Sequence, residues 1–458
     1  MSNEFSANGQ TLFAWTKEIT RKQWLAFVAA FMGWTLDAMD LLLYIYALPM
    51  IKETWGLTNQ QAAMLFGITL ASSALGGAIF GIISDYIGRV RALMLSILIY
   101  SVFTGLSAFA PNVWFFVVCR FFLGLGMGGE WASGEVLVAE SWPNKHRGKV
   151  IGMVQSGWGV GYILAATLAI LILPHGDFDF TLPVLGHIHF QSWRTLFLIG
   201  ILPAFLVFFV RRHCEEPEIW KTTSEMRKAK QLSEKGQSFT LLQLFRSDMF
   251  RFTFTATLLT SFCMIAYWGL NTWIPTYLTS PASEGGAGLS LVRGYSWTIA
   301  INVGAFFGCI TFGMISDRLG RRPVFISYLL IMALLVPVYG SILAVQKYFG
   351  IQDIGTLLLV ISPLLGFFGT GFFSGFGAIM SEVFPTRSRG TAQGFCYNMG
   401  RGASALAPSI FAGVAGLTIA GTTVGLGHSL WTASIFAVLA AVTVLTLPET
   451  KGKQLTIE

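Results

Sequence analysis

Gly81-Ile-Ile-Ser-Asp85-Tyr-Ile-Gly88-Arg89-Val-Arg91 lies between two long apolar runs, and it returns in the second half of the chain as Gly313-Met-Ile-Ser-Asp317-Arg318-Leu-Gly320-Arg321-Arg322. Each copy is a charged, glycine-bearing tight turn set in sequence that is otherwise oily. One such turn in each half points to a membrane protein built from two similar bundles, with its working site between them.

Working outward from these turns, the composition agrees. The 458 residues are 54% hydrophobic and only 12% charged, against about a quarter charged in a soluble domain. The charges cluster, which leaves uncharged runs at or above the roughly 20 residues a bilayer requires. Lipid offers no hydrogen-bond partners, so such runs must be helices. The reading is an all-α membrane protein with twelve transmembrane helices in two pseudo-symmetric six-helix bundles. The helices are expected at 24–50, 60–83, 92–110, 114–141, 149–173, 193–210, 251–278, 293–315, 323–343, 353–382, 388–416 and 425–447. The expected domains are an N-terminal segment 1–23, a first bundle 24–210, a linker 211–250, a second bundle 251–447 and a tail 448–458. Spans four and ten are rich in glycine, which lets helices pack closely.

Of 30 Lys and Arg residues, all but Lys52, Arg120, Arg194, Arg293, Lys347 and Arg401 fall at one side of this arrangement. By the positive-inside bias that side is the cytoplasm, with both termini there. The expected location is a plasma membrane, the inner membrane of a bacterium. The net charge of +7 is therefore a topology signal and implies no nucleic-acid partner. Residues 1–23 are polar and carry both signs of charge, so no cleaved signal peptide is expected. The five cysteines have no metal spacing and read as small buried thiols. His175, His187 and His189 with Asp177 and Asp179 fit no standard metal site, and no metal is expected. The linker is expected to form short amphipathic helices along the inner surface.

A charge at mid-bilayer costs roughly 2.5–3.5 kcal/mol on insertion scales. Asp37, Asp40, Arg120, Glu130, Glu135 and Arg401 all lie inside expected spans. Asp37 and Asp40 share a helix face, and depth along the helices suggests an Arg120–Asp40 pair with Asp37 one turn deeper. Asp37, Asp40 and Glu130 are the candidate proton carriers, because burial and a nearby arginine pull a carboxylate's proton affinity in opposite directions. Glu135 points elsewhere around the helix and reads as structural. Arg401 has no acidic residue at its depth in the second half, and a substrate carboxylate is a natural bidentate partner for it. Arg120 is a second candidate for substrate contact. Gln155, Tyr267, Asn271, Tyr397 and Asn398, with Trp158 and Asn302, are polar or aromatic groups suited to a small organic anion.

The paired turns, taken with Arg120-Phe-Phe-Leu-Gly124-Leu-Gly126-Met-Gly128-Gly129-Glu130-Trp131, Glu140-Ser-Trp-Pro143, Arg147-Gly148, Leu36-Asp37-Ala-Met-Asp40 and Pro448-Glu-Thr-Lys-Gly452, resemble the major facilitator superfamily, and within it the sialate and monocarboxylate:proton symporters. Tyr86 stands where that family usually has a basic residue, and Ala38 where it has glycine. The histidine motif of the lactate branch is absent from Tyr267-Trp-Gly-Leu-Asn271-Thr-Trp-Ile-Pro275-Thr276. The resemblance implies gating roles for Asp85, Arg89, Glu140 and Arg147, and in the second half for Asp317, Arg321 and Glu382 with Arg387 and Arg389. It implies symport of a small organic carboxylate, such as sialate or lactate, with protons by alternating access. The proton gradient is the driving force, no cofactor is needed, and a single chain is the working unit. Two alternatives stay open: an aromatic-acid:proton symporter, and an uncoupled facilitator of a sugar or polyol. An enzyme is not expected, since the chain has no nucleotide-phosphate loop.

Overall fold

The computed structural model describes residues 14–57, 59–173, 177–182, 186–233, 240–419 and 422–455. Among them, eleven helical stretches are long and apolar enough to cross a membrane. The first five spans are Arg21–Trp55, Asn59–Ile87, Arg89–Ser107, Val113–Ser141 and Arg147–Ile172. The sixth, Ser192–His213, tightens into a 3₁₀ turn at Leu202–Phe205, around Pro203. The seventh, eighth and ninth are Ser247–Thr279, Leu291–Leu319 and Arg321–Gly340. The tenth, Ile354–Val383, breaks between Gly371 and Ser374, and the last is Gly425–Val444. One further crossing, the eleventh span, runs Arg389–Ala403, Ser404–Leu406 and Ala407–Ala415. It falls short of the apolar eleven because its first part buries Arg389, Gln393, Asn398 and Arg401.

Both charged turns fold alike. A single glycine joins spans two and three, and another joins spans eight and nine, with φ of 115° at Gly88 and 108° at Gly320. That left-handed region disfavours any residue with a Cβ. A side chain at either glycine would also run into a carboxylate, that of Glu216 or of Glu449. Glu216 accepts the main-chain N–H of Arg89 (2.6 Å), Val90 and Arg91, and Glu449 accepts those of Arg321 (2.9 Å) and Arg322 (3.0 Å). Each glutamate thus satisfies the orphan donors at a helix start.

The glycines of span four let its backbone lie on span two: a Cβ on Gly124 would meet Thr69 and Ser72, and one on Gly128 would meet Ser73. Span ten packs on span eight in the same way, through Gly366 against Ile301 and Gly371 against Gly308. The halves meet along spans two and eleven, where Gly77 and Gly394 face each other's helices, and along spans five and eight, where Gly152 and Gly313 do.

Two antiparallel hairpins stand outside the helical expectation: Phe178–Leu182 with Gly186–Phe190, and Thr418–Ile419 with Thr422–Thr423. They lie between spans, and the β-branched and aromatic residues there favour pairing. His175 lies outside the described residues, as do the side chains of His187 and His189. Asp177 accepts the Ser192 N–H (2.8 Å) at the start of span six. Among the described residues no His, Cys, Asp and Glu group could hold a metal ion. In the linker, helices occupy Glu218–Ser233 and Thr240–Gln243, and the Trp220 indole donates to the Asp85 carbonyl (3.2 Å).

Candidate functional site

Side chains from both halves line a small central cavity of about 20 Å³. The first half supplies Trp34 from span one and Gln155 and Trp158 from span five. The second half supplies Met264, Tyr267 and Trp268, Thr370 and Phe373, then Tyr397 and Arg401. The walls are aromatic. Trp34 and Trp158 pack 5.0 Å apart, and Tyr267 meets Phe373 edge-on at 4.9 Å. Trp131 stacks on Tyr397 across the two halves, 3.6 Å between centroids and 13° from parallel, and its indole N–H points at Gln155 Oε1 (3.4 Å).

Arg401 is the cation of this cavity. It is 3% exposed, and its guanidinium carbon lies 5.7 Å from the centre of the Tyr397 ring. Its Nε and Nη1 have no hydrogen-bond partner in the protein, and no carboxylate among the described residues forms an ion pair with it. A buried guanidinium left in this state is a preformed receptor for an anion.

Asp37, Asp40 and Glu130 are all buried in the first half. Neither oxygen of Asp37 or of Glu130 has a hydrogen-bond partner. Asp40 accepts the Thr104 hydroxyl (3.0 Å) through Oδ2, and its Oδ1 is unpartnered. Glu130 lies against Gly33, whose missing side chain makes room for the carboxylate. Neither Asp37 nor Glu130 lines the cavity, and the Arg401 guanidinium lies within electrostatic range of both.

Several expectations change here. The anticipated Arg120–Asp40 ion pair is not formed. Arg120 instead donates to the Ser107 hydroxyl (2.9 Å) and lies over the rings of Phe197 (4.7 Å) and Phe116 (4.9 Å). It is held inside the first half by cation–π contacts, away from the cavity wall. Asn398 is turned from the cavity: it fills the space over Gly77 and donates to the Gly394 carbonyl (3.0 Å). Asn271 donates to the Tyr267 carbonyl one turn back (2.9 Å) and does not line the cavity. Gln155, Tyr267, Tyr397 and Arg401 do line it. Trp34, Met264, Trp268, Thr370 and Phe373 were not singled out in the sequence. Apart from the single hydroxyl of Thr370, their bulky apolar or aromatic character matches ordinary helix packing, so nothing marked them.

At the basic end two mirror-image charge relays tie the halves together. Asp85 and Arg89 pair at 2.6 Å, Arg89 reaches Glu140 at 3.1 Å, and Glu140 pairs with Arg389 of the other half. Asp317 and Arg321 pair at 2.7 Å, Arg321 reaches Glu382 at 2.9 Å, and Glu382 pairs with Arg147 of the other half at 3.2 Å. This corrects the expected partners. Glu140 takes Arg389 rather than Arg147, and Glu382 takes Arg147 and Arg321 rather than Arg387 and Arg389. The exchange arises because each arginine begins a helix docked on the opposite half. Arg387 lies in the adjoining 3₁₀ turn Thr386–Ser388. Asp85 also accepts the N–H groups of Gly390 (3.1 Å) and Thr391 (2.9 Å), and Asp317 those of Gly148 (3.1 Å) and Lys149 (3.0 Å). The basic end is closed.

A sequence model described as Major Facilitator Superfamily matches residues 23–312. The chain is 32% identical to a probable 4-methylmuconolactone transporter of Cupriavidus pinatubonensis, over 96% of this chain and 94% of that protein. It is 29% identical to the sialic acid transporter NanX of Escherichia coli, over 92% and 93%. Among solved structures, the proton:xylose symporter XylE superposes with a TM-score of 0.69 at 20% identity, covering 95% of this chain and 98% of XylE. The chain is a member of the major facilitator superfamily and not an enzyme.

Proposed function

We propose that this protein is a secondary transporter that carries a small organic carboxylate together with protons through the central cavity, by alternating access, with its basic end and both termini in the cytoplasm of a bacterial cell. The observation that carries the reading is Arg401, a buried guanidinium on the cavity wall with donors unspent. A carboxylate bound there adds a negative charge within electrostatic range of Asp37 and Glu130, which sense the same arginine. The new charge favours proton uptake by those carboxylates, and proton binding in turn favours the anion. Two ligands that help each other bind are the thermodynamic content of symport. The pairs at the basic end serve as the inner gate, and separating them exposes the site to the cytoplasm.

The walls favour one branch of the substrate class. Aromatic faces surround Arg401, with Gln155, Thr370, the Tyr267 and Tyr397 hydroxyls and the unpartnered indole N–H groups of Trp34 and Trp158 as the uncharged polar groups among them. Such a surface receives a flat aromatic or conjugated acid by stacking. The similarity to a 4-methylmuconolactone transporter supports the same branch. A calorimetric screen of the purified protein against benzoate, a conjugated dicarboxylate, lactate, sialate and a neutral sugar, with uptake measured in vesicles, tests it. Tightest binding of the flat acids, with uptake that alkalinises the outer medium, is expected. Binding of a neutral sugar with no acid bound would overturn it.

A further inference from the structure

One buried carboxylate has no part in the cavity or the relays. Glu135 of span four is 2% exposed, and neither of its oxygens has a hydrogen-bond partner. Among the described residues no Lys or Arg forms an ion pair with it. Although it belongs to the first half, its carboxylate crosses the seam. A Cβ on Gly377, in span ten of the second half, would stand 2.5 Å from Glu135 Oε2 and 3.1 Å from Ile151 Cγ2. The glycine therefore leaves the hole that the carboxylate fills. The titratable groups that sense Glu135 are Glu130 on its own helix, Cys309 of span eight and Tyr397 of span eleven. Spans five and ten present Ile151 and Gly377, which do not titrate, and no cation among the described residues faces it.

We propose that Glu135 is a proton-binding site whose occupancy permits the basic end to close. An ionised carboxylate pressed on bare backbone without a donor is strongly disfavoured. The closed seam therefore holds the neutral acid. When the halves part, Gly377 withdraws, water reaches Glu135, and its proton leaves to the basic side. Closing again requires a proton from that side. The sign is fixed by linkage: acid favours the closed basic end and alkali favours the open one. This rests on the alternating-access reading above and adds a residue that couples the seam itself to pH.

The test is the distance between nitroxide labels at exposed Arg91 and Leu319, one in each half, measured by pulsed electron resonance on the full chain in lipid across a pH series. In the parent protein the short-distance population falls as pH rises. Glu135→Gln, permanently neutral, keeps the short distance and loses the pH slope, whereas Arg401→Ala loses acid binding and keeps the slope. An unchanged slope in Glu135→Gln overturns the proposal. A slope lost in Glu135→Gln but no acid bound by the parent overturns only the substrate reading. As a second variant, Gly377→Ala pushes on the carboxylate. It lengthens the distance in the parent and not in Glu135→Ala, and equal lengthening in both backgrounds also overturns the proposal.

Discussion

Asp85, at the end of the second span, accepts hydrogen bonds from both the N–H (2.9 Å) and the hydroxyl (2.7 Å) of Thr391 in the opposite half. One carboxylate thus holds Arg89 at its own turn and caps the first turn of the eleventh helix, where the helix dipole favours an anion. Asp317 treats the fifth helix alike. Each half grips the other by a helix start, so the seam opens only when four charge-assisted contacts break together. Asp85→Asn removes one carboxylate from Arg89, which keeps Glu140, and weakens the cap at Thr391; losing a hydrogen bond to a charged group costs roughly 1.5–3 kcal/mol. The expected outcome is a shift toward the form open at the basic end, read as faster labelling of cysteines introduced along span eleven. Asp85→Asn with Asp317→Asn should exceed either alone.

Arg401→Lys separates charge from geometry. Lysine keeps the positive charge but loses the planar fork that binds a carboxylate through two parallel bonds. Losing one hydrogen bond to a charged group costs roughly 1.5–3 kcal/mol, so the dissociation constant for the preferred acid should rise at least about tenfold. Arg401→Ala should abolish uptake while membrane insertion stays intact. Calorimetry on both variants checks this; unchanged affinity in the alanine variant would place the anion elsewhere.

What the sequence made legible follows from what a single helix determines. Gly88 and Gly320 could be read as turns because the residue type itself answers a backbone demand. Arg401 stood out because depth in a span is a count along one helix. Relay partners were less legible, since Glu140 and Arg389 lie far apart in the chain and meet only after the halves dock. The same holds for Trp131 on Tyr397, and for Glu216 and Glu449, whose capping roles depend on where a linker and a tail come to rest. Arg120 was misjudged for a related reason. Depth alone put it within reach of Asp40, whereas the rings of Phe116 and Phe197, which surround its guanidinium, come from two different spans.

The aromatic walls predict a selectivity effect. Trp158 packs on Trp34 at 5.0 Å beside Arg401. An aromatic pair contributes about 0.5–1.5 kcal/mol beyond its buried area. Trp158→Ala should therefore weaken benzoate binding roughly three- to tenfold and change lactate binding little. Competition assays with both acids measure the ratio, and an equal loss for both would make the tryptophan a packing residue only.

Glu449 gives a pH dependence outside the membrane. Burial pushes its carboxyl up, but main-chain donors from Arg321, Arg322, Thr450 and Lys451 outweigh it and hold the group below its ordinary value. A depressed folded value means stability that is full above the unfolded value and is lost as pH falls through the folded one. Glu449→Gln should lower the melting temperature at neutral pH, and the gap from the parent should close in acid. A gap constant with pH would show that the carboxylate's charge contributes nothing.

Asp37→Asn and Asp40→Asn test the coupling itself, and the two should differ. Asp37 has both oxygens unpartnered and senses Arg401, so its charge belongs to the same electrostatic balance as a bound anion. An amide in place of the Asp37 carboxylate cannot exchange a proton, so a pH gradient should no longer drive accumulation. Exchange of labelled for unlabelled acid, which needs no net proton movement, should continue. Asp40 is tied to Thr104 and lies beside Arg120 rather than the cavity. If it relays the proton, Asp40→Asn gives the same split between accumulation and exchange. If it serves the packing of spans one, three and four, both activities fall together with thermal stability. Accumulation and exchange, measured in the same vesicles at matched protein content, separate these outcomes. Concentrative uptake that persisted in both variants would move the proton site to Glu130.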